Sequence, residues 1–369
     1  MDSILERAHE QIMHAHIAED LFGAEDVVLP PPTLKKHLEE ARAPLVQATE
    51  VKGYYGDDRE AALEARERLS ELWDDALNRA NLNLYGLPRP GIQHPPHVSR
   101  SFTVGPRTYW VGAKDVEDGF SSLIDGYLEL SRKPLGEVMY RVANDPAQNS
   151  FVEQEGRILD LLHSREVPQW KHLPIVLDRF TTNGRAGLVL RKINGHTLAW
   201  LRSRPQHRAG LDQRDMVWML DRTLSVLGYV HRCGIVHGAI RPEAIRVQHL
   251  SHNAILTDWQ HAVHRPAESG ARVSISFPEF SAPEVQDPTH VGPWSDIFAL
   301  GKTIIWLLGG NPETNEIPQG VERPLADFLH RMVKEDVDKR PDDAWSLHQE
   351  QVQIKNSLWA KKFRALDVT

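Results

Sequence analysis

The residues best placed to do chemistry fall in the second half of the sequence. His237 lies in the run Val236-His237-Gly238-Ala239-Ile240-Arg241-Pro242-Glu243-Ala244-Ile245. Asp258 follows 21 positions later (258 − 237 = 21) in Leu256-Thr257-Asp258-Trp259-Gln260. Glu284 closes Ser281-Ala282-Pro283-Glu284, Asp296 lies in Ser295-Asp296-Ile297-Phe298-Ala299-Leu300-Gly301, and Arg340 sits in Lys339-Arg340-Pro341. Asp258 is a candidate ligand for a divalent cation. A lone carboxylate holds magnesium poorly without a second ligand or substrate phosphates. Other metal chemistry has less to work with. The single cysteine, Cys233, excludes both a disulfide framework and a CxxC-type zinc site. The 19 histidines show no HExxH spacing.

In this order and at these spacings the five segments closely resemble the motifs of the protein-kinase family, over roughly residues 100–355. The first looks like the catalytic loop and the second like the strand and metal-binding turn. Upstream, Val138-Met139-Tyr140-Arg141 falls where that family carries its phosphate-gripping lysine, and Glu155 where the C-helix carries the partner glutamate. Leu188 to Leu198 resembles the last strand of the N-lobe, the hinge and the start of the next helix.

The resemblance implies phosphoryl transfer, which needs a phosphate cradle, a cation on the α/β oxygens, metal ligands and a carboxylate that positions the hydroxyl nucleophile. Those requirements fail at named positions. Ala239 replaces the positioning aspartate and can accept neither a proton nor a hydrogen bond. Ala244 replaces the asparagine that holds the second magnesium. Arg141 replaces the lysine, and a planar fork does not substitute for a compact ammonium at a tight site. Val111 to Leu130, where the phosphate loop is expected, keeps no G-x-G-x-x-G and brings in Asp115, Glu117 and Asp118, which repel phosphate. Asp258 alone survives as a vestigial metal ligand, and Arg141, Glu155 and Asp258 form a vestigial nucleotide site.

The fold-holding positions are kept. Glu284 and Arg340 match the buried ion pair that ties the activation segment to the last C-lobe helices. Asp296 matches the carboxylate that accepts backbone N–H groups from the catalytic loop, and His237 the histidine that packs in the regulatory column. The segment from Asp258 to Glu284 contains Ser269, Ser274 and Ser276, while Gly238 stands where an arginine would receive a phosphate, so control by phosphorylation there is not expected.

Elements that could position these residues are legible in the pattern. Strand-like runs occur at Thr108–Val111, Ser122–Leu130, Glu137–Val142 and Leu188–Leu190, with a helix from about Gln148 to His163. Beyond Thr197 the chain reads as mainly helical, with short strands at Ile245–Val247 and Ala254–Leu256. Strands first and helices later make the fold class α+β, a two-lobed kinase-like arrangement preceded by an α-helical region. The expected domains are a helical region at 1–86, a Pro/Gly-rich linker at 87–98, an N-lobe at 99–192, and a C-lobe with a C-terminal helix at 193–369. In the first region, Ala62, Ala65, Leu69, Leu72, Trp73, Ala76 and Leu77 recur at helical spacing. Leu38 to Thr49 followed by that helix weakly resembles the helical hairpin of J-domain co-chaperones. Gln47-Ala48-Thr49 stands in place of the His-Pro-Asp loop, so the hairpin's activity is expected to be lost.

Composition sets the remaining limits. The chain of 369 residues is 41% hydrophobic and 25% charged, as soluble globular proteins are. Its net charge of −8 gives no sequence-wide attraction to nucleic acid or to anionic membranes. Ile297 to Gly310 is interrupted by Lys302 and too short to span a bilayer, so it reads as a buried helix. No secretory signal pattern opens the sequence, and a cytoplasmic location is expected. Six of the ten tryptophans, Trp110, Trp170, Trp200, Trp218, Trp294 and Trp306, fall in segments that should pack internally, whereas Trp345 and Trp359 are candidates for exposed contact. The function expected is that of a pseudokinase, a scaffold or regulator whose partner is another protein, with no zinc and no bound cofactor; retained ATP and magnesium is the alternative on the cofactor side. Two other functions remain open: an atypical phospho- or nucleotidyl-transferase using Asp258, and a chaperone-linked adaptor working through the N-terminal helices.

Overall fold

A computed structural model describes residues 3–23, 29–87, 100–117, 119–130, 133–249, 251–359, 366 and 368. Of the expected linker 87–98, residues 88–98 lie outside the described residues, as do the side chains of Asp115, Glu117 and Asp118. The chain divides into two compact units, one of residues 1–115 and 124–139, the other of residues 116–123 and 140–369.

The first unit opens with helices α1 (Ser3–His14), α2 (Ala18–Phe22), α3 (Pro31–Ala48) and α4 (Gly56–Asn81). Pro31 and Pro32 begin α3 rather than interrupt it, because the first helical positions need no donor and suit proline's fixed φ. Leu5, Ala8 and Ile12 of α1 and Leu34, Leu38 and Leu45 of α3 are buried. All but Leu5 meet Ala65, Leu69, Leu72 and Ala76 of α4 in one apolar core. That core contains a fully buried charge. Arg79 donates to Glu19 Oε1 at 2.9 Å and to the carbonyls of Leu84 and Leu87 at 2.9 and 2.7 Å. Gln47 and Ala48 close α3, and buried Thr49 caps it by donating to the Leu45 carbonyl at 2.8 Å. Strand β1 (Arg100–Val104) follows, and then β2 (Arg107–Glu117), β3 (Ser121–Leu130) and β4 (Lys133–Ala143), whose residues are divided between the two units. The antiparallel β1–β2 hairpin pairs Phe102 with Tyr109, and the rings stack at 5.4 Å.

The second unit continues with α5 (Asn149–His163), β5 (Val176–Thr182), β6 (Arg185–Arg191), β7 (His196–Thr197), α6 (Leu198–Ser203) and α7 (Gln213–Arg232). Next come β8 (Ile235–Val236), β9 (Ile245–Gln248), β10 (Asn253–Leu256), β11 (Val263–His264), α8 (Pro266–Ser269), α9 (Pro293–Leu307), α10 (Arg323–Met332) and α11 (Ala344–Leu358). The large sheet runs β1-β2-β3-β4-β6-β5, and two small ones run β10-β9-β7 and β11-β8. Strands β1 and β5 escape the pattern reading, because Arg100, Ser101, Asp178 and Arg179 break their apolar runs. In the β5–β6 pair Phe180 faces Gly187, where a Cβ would lie 2.3 Å from the ring, so only glycine fits beneath it.

The class is α+β, as the pattern implied. Helix α9 is buried along nearly its whole length, and its Lys302 ammonium is satisfied by the Pro312 carbonyl at 2.5 Å. Among the described residues no helix is long and apolar enough to cross a membrane. The tryptophans depart from expectation at both ends. Trp170 and Trp218 are buried, but Trp110, Trp200, Trp294 and Trp306 are only half-buried. Trp345 and Trp359 are also half-buried, under Arg232 at 5.2 Å and Arg214 at 5.9 Å, so neither stands free as an exposed contact.

Candidate functional site

The loop after β8 is fixed from below by one carboxylate. Asp296, in the first turn of α9, accepts the backbone N–H groups of His237 and Gly238, each at 2.8 Å, and lies 3.0 Å from His231 Nε2. Gly238 adopts φ +73°, and a Cβ there would stand 2.6 Å from Val273, so the position needs glycine on two counts. Burial, against the attraction of Asp296, holds the His237 imidazole below the ordinary histidine range. Kept neutral, it donates from Nε2 to the Thr257 carbonyl at 2.7 Å and accepts the Ala239 N–H at 3.3 Å. Trp259 packs edge-on against it at 4.7 Å, fully buried, its indole N–H on the Leu256 carbonyl at 2.8 Å.

Above this floor the reactive positions are apolar. The methyl groups of Ala239 and Ala244 are buried, and neither offers an oxygen to a hydroxyl or a metal. Asp258 adopts a left-handed conformation (φ 67°, ψ 41°). Both oxygens of its carboxylate are taken. Arg141 Nη2 lies 3.1 Å from Oδ1, and Arg241 Nη2 lies 2.7 Å from Oδ2.

Each guanidinium is itself tied at several points. Arg141, on β4, holds Glu155 of α5 with Nε 2.7 Å from Oε2 and donates through Nη1 to Ser121 Oγ at 3.1 Å. Arg241 donates to the Ala239 carbonyl at 3.2 Å, approaches Glu243 at 3.5 Å and lies 4.2 Å over the ring of Phe277. Burial alone would push the Asp258 carboxyl up. Arg141 and Arg241 reverse that and hold it below the usual carboxylate range.

The arrangement brings Arg141, Glu155 and Asp258 together. It adds Arg241, Ser121 and Phe277, which the sequence reading passed over. Arg241 stands two residues beyond Ala239 in the same loop, but its partner lies 17 positions on, and only the fold joins them. The donor set does not suit a divalent cation: its one central carboxylate is saturated by two cations. Among the described residues no group of three or more His, Cys, Asp or Glu side chains could hold a metal ion.

The other two structural positions, Glu284 and Arg340, form an ion pair. Glu284 Oε1 is 2.6 Å from Arg340 Nη1 and accepts Ser295 Oγ at 2.6 Å. Arg340 also donates to the carbonyls of Trp294, Lys334 and Glu335 and stacks over Phe298 at 4.5 Å.

Known proteins bear on this geometry. The family described as "Protein kinase domain" matches residues 144–359. A probable serine/threonine-protein kinase pknA2 of Bifidobacterium longum is 25% identical over 266 residues, covering 66% of this chain and 34% of that protein. The serine/threonine-protein kinase F of a Synechocystis strain is 26% identical over 206 residues, covering 50% of this chain and 41% of that protein. The chain thus spans about a third to two fifths of the length of these relatives. A crystallised kinase domain aligns with a TM-score of 0.54 at 14% identity, over 66% of this chain and 95% of that one, which speaks to the fold alone.

Proposed function

Because the chain belongs to the protein kinase domain family, we propose that it is a member that no longer transfers phosphate and instead works by binding another protein. Its relatives are named as serine/threonine kinases, and the proposed departure from them rests on the cleft residues. The observation that carries the reading is the carboxylate of Asp258, clamped on both oxygens by Arg141 and Arg241. A magnesium nucleotide there would have to displace two charge-assisted hydrogen bonds, which are stronger than neutral ones and shielded by partial burial. It would then find no second metal ligand at Ala244 and no hydroxyl acceptor at Ala239. Glu284–Arg340 and Asp296 supply what keeps such a framework rigid without chemistry.

The test is a thermal-shift titration with magnesium–ATP beside a radiolabel transfer assay on the full chain. No stabilisation and no transfer are expected, since a ligand that binds only the folded state must raise its melting temperature. Autophosphorylation that is abolished by Asp258→Ala would overturn the proposal.

A further inference from the structure

The chain carries a net charge of −8, yet its charge is unevenly placed. Between Asp178 and Asp212 the sequence holds no aspartate or glutamate but repeated arginines, and between Glu243 and Asp258 it again holds no acid. The fold joins these two stretches, because β7 pairs with β9 in the register His196↔Val247 and Thr197↔Arg246.

Around that pairing lies a preassembled cationic surface. The His196 imidazole stacks on the Trp200 indole at 3.6 Å and 10° between planes. The guanidinium of Arg204 lies 4.3 Å from the same ring. Arg246 is tethered by Nη2 to the Gly195 carbonyl at 3.3 Å. Burial first, and then neighbouring His249, Arg246 and Arg204, hold the His196 imidazole below its ordinary value. The acid on the turn packed against α6, Glu243, turns to Arg241 at 3.5 Å. Trp200, His196, Arg204 and Arg246 are all half-buried.

We infer that this face, built from His196, Trp200, Arg204, Arg246 and His249, is a docking site for an acidic peptide segment of a partner protein. Trp200 holds the Arg204 guanidinium and the His196 ring in place, so less side-chain freedom is lost when carboxylates arrive. A nucleic acid is disfavoured for two physical reasons. Single strands gain much of their affinity by stacking bases on open aromatic rings, and Trp200 is already engaged by His196 and Arg204. A long polyanion also meets the net negative body, whereas a short acidic segment feels only charges within about 8 Å at physiological salt. The face includes neither Ala239 nor Asp258, so its failure and that of the proposed loss of phosphate transfer are separately visible.

The probe is a fluorescein-labelled decapeptide of alternating glutamate and serine, followed by anisotropy on the full chain at 50 and 300 mM salt. A labelled single-stranded RNA of matched charge serves as the second arm. Saturable peptide binding that weakens at the higher salt is expected, with roughly tenfold or greater loss in the double variant Arg204→Glu/Arg246→Glu. Arg157→Glu, on α5, should leave binding unchanged. Since Arg246 also holds the Gly195 carbonyl, Arg204→Gln is measured alongside and should keep the wild-type melting temperature while weakening the peptide several-fold. Peptide affinity unaltered in Arg204→Gln and in the double variant would overturn the inference, and so would RNA binding tighter than the peptide's.

Discussion

The substitution Asp258→Asn keeps the shape of the side chain and removes its charge, so it separates two meanings of this residue. A metal ligand in a working cleft is held ready for a cation that is absent in the free protein, and neutralising it changes folding stability little or raises it. Here the carboxylate is a structural anion, 14% exposed, with guanidinium nitrogens at 3.1 and 2.7 Å. Removing one partner of a buried ion pair costs about 3–5 kcal/mol. Arg141 would retain Glu155, Arg241 would retain the more exposed Glu243, and asparagine keeps an acceptor oxygen. The expected loss is therefore about 2–3 kcal/mol, which for a unit of this size lowers the melting temperature by about 4–12 °C.

Near-ultraviolet circular dichroism melts at pH 7 read this directly. The pH dependence gives a second handle. The folded Asp258 carboxyl lies below its ordinary value, so the stability it supplies is complete above about pH 4 and disappears as the pH falls through the depressed folded value. The gap between wild type and variant should accordingly close in strong acid, where both side chains are neutral. A variant melting within about 1 °C of wild type at pH 7, or above it, would refute the clamp.

The other expectations concern the framework. Arg340→Ala leaves Glu284 without its cation and three carbonyls without a donor, and should lower stability by about 3–5 kcal/mol in urea denaturation. Arg79→Ala should do the same within the N-terminal helices, detected as faster proteolysis between α1 and α4 while residues 140–359 stay resistant. Burial pushes the His172 imidazole down to about 4, so protonation favours the unfolded chain, and stability should drop as the pH falls from 6.5 towards that value. His172→Gln should remove about 3 kcal/mol of that stability change, read by urea denaturation, while buried His163 keeps its own share. Ala239→Asp alone should restore no phosphate transfer in the radiolabel assay, because Asp258 stays clamped by Arg141 and Arg241.

What the sequence makes legible here depends on whether a residue's role is set by neighbours along the chain or across the fold. His237, Gly238, Ala239 and Ala244 share one loop, so their types and order already say what that loop can hold. Helix α4 is equally plain, because the apolar repeat from Ala62 to Leu77 is a local property. Strands β1 and β5 are not, since one face of each carries charge and their pairing is supplied by distant partners. Trp345 and Trp359 mislead for the same reason: the arginines that cover them lie on α7, far away in sequence.

Arg141 shows the limit most sharply. Along the chain it is only a lysine replaced by a worse phosphate ligand. In the fold its guanidinium reaches Glu155, Ser121 and Asp258 at once, which a single ammonium on a flexible stem is poorly shaped to do. The second arginine, Arg241, then takes the remaining oxygen of Asp258. Two arginines on one carboxylate make an internal ion cluster. Such a cluster ties β4, α5 and the loops bearing Arg241 and Asp258 together without any ligand. On the proposed reading, phosphate transfer would require removing contacts that now hold these elements in place, as well as adding an acid at Ala239. On that basis Ala239→Asp combined with Arg141→Lys and Arg241→Lys should melt below Ala239→Asp alone, and a triple variant as stable as the single one would show that the cluster does not serve the fold.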